Sequence, residues 1–197
     1  MDATIYAAIT EMCARLAGRL PDDALGALRD QYAAGEWAIG DDTLLLSLAF
    51  QHVGITAEEQ ALIRSFLSDP DNPDLLDVPV VDEVPAPAYR FTSAGPAGAA
   101  DPSAADRLLA GEAPRHGGRR LHRAWRSPLG SAPDGPTWVY VLRVVEGADE
   151  LKARSGLTAR LWTTLREKWP VEVVAEGSTP APYQAAALAA AQPVWSA

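Results

Sequence analysis

Two runs decide the fold: RRLHRAWRS (residues 119–127) and TWVYVLRVV (137–145), joined by PLGSAPDGP (128–136). The joining segment has the glycine and proline content of a hairpin connection, so the runs read as paired strands. In an extended chain Leu121, Arg123 and Trp125 share one face, and Arg120, His122, Ala124 and Arg126 share the other. Working outward, VEVVA (171–175) reads as a third strand, and Tyr89 to Thr92 as a short strand before the hairpin. Helices are expected over about 103–111, over 148–169 with Leu151, Leu157, Leu161 and Leu165 inside, and over 181–192, ending near Pro193. Gly156 should weaken the middle of the second of these. The order β-β-α-β-α predicts an α+β domain: a small sheet of three to four strands with helices on one face.

The N-terminal half carries a helical period instead. Ile5, Ile9, Met12, Leu16 and Leu20 recur at steps of three and four, the face of an amphipathic helix. Pro21 opens a second helix, Asp22 and Asp23 suit its positive end, and Gly35 closes it. A third is expected over about 41–53, capped by Asp41 or Asp42, with Leu44, Leu45, Leu48 and Phe50 inside. The fourth starts at a capping box, Thr56 with Glu59, and buries Leu62, Ile63 and Phe66. Four short helices with short links predict a compact bundle. Domain boundaries follow: an acidic bundle over 1–67, a connector rich in Pro and Asp over 68–89, and the α+β domain over 90–197.

The chain's 197 residues are 48% hydrophobic and 22% charged, ordinary for a folded protein. No run approaches ~18 apolar residues, so no membrane span is expected. Asp2 and Glu11 interrupt what a secretory leader would need, which predicts a cytoplasmic protein. Two lysines stand against fifteen arginines, the bias of a GC-rich bacterial coding sequence. Cys13 is the sole cysteine and lies on the apolar face of the first helix, as a buried structural thiol would. Charge is split: residues 1–87 hold four arginines and sixteen carboxylates, net −12, whereas 88–197 hold thirteen cations and ten acids, net +3.

Phosphate-loop, dinucleotide and nucleophile-elbow signatures are absent. His52, His116 and His122 have no metal-ligand spacing, and DPDNPDLLD (69–77) lacks the glycine that a calcium loop needs. No metal, cofactor or local catalytic constellation is expected, so binding is favoured over enzyme activity. The basic stretch Arg119, Arg120, Arg123, Trp125 and Arg126 admits three readings. Its arginines guard an edge strand, or contact the chain's acidic half or a partner, or bind single-stranded nucleic acid. The acidic balance of the whole chain disfavours the third.

LPDDALGALRDQYAAGEWAIGDDTLLLSLAFQHVGITAEEQALI (20–63) resembles the MafI-like immunity proteins, small acidic helical proteins linked to bacterial polymorphic toxins. The matching features are Leu20-Pro21, Leu25, Leu28-Arg29, Gly35-Glu36-Trp37, Val53-Gly54-Ile55-Thr56, Glu59, Leu62 and Ile63. The resemblance implies toxin neutralisation. An acidic surface would be steered to a basic toxin cleft and complement it. Asp22, Asp23, Asp30, Glu36, Asp41, Asp42, Glu58 and Glu59 are the candidate contacts, and helix capping is the competing use of each. The leading expectation is therefore a bacterial protein that works by protein–protein contact. The alternative is an α+β ligand-binding or enzymatic domain over 90–197, with the helical half as a regulatory or dimerising module. Self-association stays open.

Overall fold

The structure is a computed structural model that describes residues 2–197. The chain divides into two compact units, with the boundary between Pro87 and Ala88.

The first unit contains α1 (Ala3–Arg15), α2 (Asp22–Ala34), α3 (Trp37–Phe50) and α4 (Ala57–Phe66). The Asp2 carboxylate caps α1 by accepting from Thr4 N at 2.8 Å. α1 packs against α4 and α2 against α3. Ile9, Met12, Leu16, Leu28, Leu44, Leu45, Leu48 and Ile63 are sealed inside, each burial worth about 1.5–3 kcal/mol. The Thr56 capping box is fully formed, with both reciprocal hydrogen bonds present.

α3 corrects two expectations. It begins at Trp37, four residues before the expected start, so Asp41 lies inside the helix rather than at its cap. Gly40 looks like a helix breaker but serves close approach: a Cβ there would stand 2.6 Å from Tyr32 Cε1. Phe50, expected in the core, is 82% exposed.

The segment 68–89 is not all connector. Asn72 caps a 3-10 turn, Pro73–Leu76, and Leu75 and Val78 are buried. Ile55 N donates to Pro79 O at 2.8 Å, and Val81 N donates to Ile55 O at 2.9 Å. Residues 73–81 thus belong to the helical unit, held by two apolar anchors and a two-bond bridge.

The second unit is α+β. It comprises β1 (Tyr89–Thr92), α5 (Ser103–Glu112), β2 (Gly118–Pro128), β3 (Thr137–Val144), α6 (Glu150–Leu165), β4 (Val171–Ala175), α7 (Pro182–Ala190) and β5 (Gln192–Ser196). The sheet has five strands, not three or four. β2 and β3 form the expected hairpin, and β4 joins β3 in parallel. β1 pairs with the C-terminal part of β2, and β5 with its N-terminal part. β5 went unforeseen because Pro193 argues against a strand, yet an outer strand tolerates it.

Helices cover both faces, not one. Leu109 of α5 and Leu157 and Leu161 of α6 pack on Leu121, Trp125, Trp138, Tyr140, Leu142 and Val173. α7 covers the opposite face through Ala187 and Leu188, over Val141 and Val174. Alternation along β3 makes this possible, since its even residues face α5 and α6 and Val141 faces α7. Gly156, expected to weaken α6, makes room for His116: a Cβ there would lie 2.6 Å from His116 Cε1.

Candidate functional site

The eight carboxylates singled out in the first unit divide into two groups. Asp41 and Glu59 are buried at 5% and 1% exposure, and they join helices instead of facing outward. Tyr32 OH donates to Asp41 Oδ1 at 3.0 Å, and Ser68 N donates to Asp41 Oδ2 at 2.8 Å. Asp41 therefore ties α2, α3 and the end of α4 together. Burial, with the nearby Asp41 charge, pushes the Tyr32 hydroxyl far above its usual range. Glu59 accepts from Arg19 Nη1 at 2.6 Å and Nη2 at 3.1 Å, and also from Thr56 N at 3.0 Å. Arg19 Nη2 further donates to Gly54 O at 2.6 Å, so this fork fixes the loop before α4.

Of the rest, Asp23, Asp30, Glu36, Asp42 and Glu58 are exposed and Asp22 is half-buried. Glu58 shares Arg15 with Glu11, at 2.8 Å and 2.6 Å. The Asp69 and Asn72 side chains cap local turns: Asp71 N donates to Asp69 Oδ1, and Asp74 N to Asn72 Oδ1, while the Asp71 carboxylate lies 4.0 Å from Arg64 Nη1.

Sequence reasoning missed the apolar part of this surface. Ile39, Leu46 and Phe50 of α3 are 53%, 60% and 82% exposed. At 100° per residue they fall within about 40° of arc on the helix, with Asp42 beside them. The opposite side of α3 buries Leu44, Leu45 and Leu48. α3 is thus apolar on both sides, the pattern of a helix buried all round, while one side here faces solvent. That pattern was legible as a signal: WAIGDDTLLLSLAF has more apolar residues than one core face needs. Leu76 and Val80 add exposed apolar side chains to the same unit.

In the second unit β2 is an interior strand, with neighbours on both sides, so its arginines guard no edge. Arg119 and Arg120 are exposed, whereas Arg123 and Arg126 are buried at 7% and 1%. Arg123 pairs with Asp106 of α5 and lies 4.6 Å over the Trp138 ring. Tyr140 OH donates to Asp106 Oδ1 at 2.7 Å. Burial first, then Asp106, raises the Tyr140 hydroxyl well above its usual range. Arg126 points to the other face, donates to Tyr183 OH at 3.0 Å and lies 4.5 Å over Tyr89. Trp125 and Trp138 meet edge to face at 5.1 Å within the core. The basic stretch is therefore shared between two faces and does not form one stacking platform. Trp125, Trp138 and Tyr140 are core side chains, each at most 8% exposed.

Among the described residues no helix is long and apolar enough to cross a membrane. Compared with known proteins, the chain matches no family model, no curated protein and no solved structure.

Proposed function

We propose that the helical unit is a docking module for a basic partner protein in the bacterial cytoplasm, with toxin neutralisation as its role. The observation that carries this is the α3 strip, Ile39, Leu46 and Phe50, set beside Asp42 in a unit of net charge −12. An apolar centre supplies affinity, and Asp42 with the unit's net negative charge supplies steering. Asp23, Asp30, Glu36, Asp42 and Glu58 remain the outward acids; Asp41 and Glu59 are withdrawn from the contact set because they hold the bundle. The resemblance of residues 20–63 to MafI-like immunity proteins supports the same reading, since α2, α3 and the start of α4 lie within it.

The test uses the full chain and the separately expressed products of its neighbouring genes. Leu46→Asp with Phe50→Asp leaves the buried face of α3 untouched, so circular dichroism should match the parent. Binding should weaken about 30-fold or more, the loss expected of an interface anchor. Asp42→Lys should slow association more at low salt than at high salt. Equal binding by the double variant would overturn the proposal. So would a parent that sediments as a dimer and becomes monomeric on Phe50→Asp, because the strip would then be closed by a second copy.

A further inference from the structure

The face of the second unit's sheet that carries α7 holds a row of groups outside the contacts described so far. Register places Ser196 of β5 opposite Arg120 of β2, and Arg120 opposite Arg143 of β3. Leu121 and Leu142, the next register pair, lie in the core on the α5 and α6 face. Arg120 and Arg143 therefore project to the other side, with neighbouring strands about 4.8 Å apart. His122 stands two residues along β2 on that same side, and both arginine charges act on it.

Like charges directly opposite each other on paired strands are destabilising. Four of the unit's other arginines reach an acceptor. Arg115 and Arg160 hold Glu112 at 3.0 Å and 3.2 Å, Arg123 holds Asp106, and Arg126 donates to Tyr183. Among the described residues no carboxylate stands within ion-pair distance of Arg120 or Arg143. Glu172, the nearest acid in register on this face, is buried and accepts from Gln184 Nε2 at 2.9 Å. Beside the pair, His122 Nδ1 is buried without a hydrogen-bond partner. Two arginines, a serine and a histidine whose Nδ1 lacks a hydrogen-bond partner thus share one side of the sheet, the side that α7 covers over Val141 and Val174.

We propose that Arg120, Arg143 and His122 form a binding site for a phosphate group, with Ser196 at its border. A tetrahedral dianion accepts from two forks at once and removes the repulsion between them. The site lies in the second unit and is independent of the docking strip on α3.

Inorganic phosphate is the probe, titrated into the full chain at ionic strength held constant with sodium chloride and followed by amide and imidazole NMR. Shifts should be saturable, with half-saturation on the order of 1 mM, as two charge-assisted contacts at a partly open site imply. They should centre on residues 120–122 and 141–143. Arg120→Gln with Arg143→Gln should weaken binding at least tenfold. That variant should fold, because it removes a like-charge pair. Arg143→Lys should fall between, keeping charge but losing the fork. Acetate should bind several-fold more weakly than phosphate. Linear, unsaturable shifts, undiminished phosphate binding by the double glutamine variant, or acetate equal to phosphate would each overturn the proposal.

Discussion

Both units bury charge of both signs, Arg29, Asp41 and Glu59 in the helical one and Glu112, Arg123, Arg126 and Glu172 in the α+β one, but they hold it differently. The helical unit sends two carboxylates inward as ties between helices and leaves acids and an apolar strip outside. The α+β unit sends two arginines inward from one strand, Arg123 to one face and Arg126 to the other, each lodged over an aromatic ring. A buried carboxylate needs donors, and a helix end or a loop amide provides them. A buried guanidinium needs acceptors and tolerates an aromatic face as well. A residue's sign therefore says little about its place in the molecule. Its available neighbours decide between joint and surface.

The sharpest way to break the first half of that contrast is Glu59→Ala. It strands Arg19, which has only 13% side-chain exposure, and removes the reciprocal half of the Thr56 cap. Breaking one side of a buried ion pair costs about 3–5 kcal/mol. Urea denaturation should show a loss of that size, with hydrogen exchange accelerated first in α4. A loss under about 1 kcal/mol would mean that Glu59 is an ordinary surface acid.

Arg126 probes the other half. Arg126→Ala removes the bond to Tyr183, the bond to Gly135 O and the stack on Tyr89, and should cost about 2–4 kcal/mol. Arg126→Met keeps most of the volume and removes the buried charge, so it should cost clearly less. Equal losses in both variants would show that the hydrogen bonds, not the packing, dominate.

What the sequence disclosed follows the same line. The capping box, the hairpin and the strands at 89–92 and 171–175 were legible because each depends on residues close together in the chain. The start of α3 and the fate of Asp41 were not. Both depend on Tyr32, nine residues before Asp41, which fills the space that Gly40 leaves and bonds the carboxylate. Gly156 misled in the same way, since its reason is His116. The interior place of β2 was hidden because β5 comes from seventy residues later and contains a proline. Of the candidate site, the outward acids could be read as a set but not sorted. Sorting needed the long-range partners Arg19 and Tyr32. Gly40→Ala should therefore cost about 1–3 kcal/mol through the crowded Tyr32 ring, although alanine is the better helix former. A gain in thermal stability would show that the ring has room to move.

The smallest effect tests the exposed arginine pair. Burial and then the charges of Arg120 and Arg143 hold the His122 imidazole below its ordinary value of 6.5, outweighing a backbone hydrogen bond with Val141 that acts the other way. No acid offsets them nearby: β5 presents Pro193 opposite His122, and the ionisable group of α7 is Tyr183. On β4, Glu172 is engaged with Gln184. The folded chain thus binds fewer protons at His122 than the unfolded chain does just below pH 6.5. The resulting stability is fully present above that pH and declines as pH falls through it. Because much of the ring stays solvated, the loss should be only roughly a few tenths of a kcal/mol. It appears as the difference in urea midpoint between parent and His122→Gln, compared at about pH 7.5 and about pH 5.5. Arg120→Gln should shrink that difference by removing one of the two charges. Should the parent instead gain on acidification relative to His122→Gln, the imidazole would be facing a carboxylate, and the cationic row on this face would not exist.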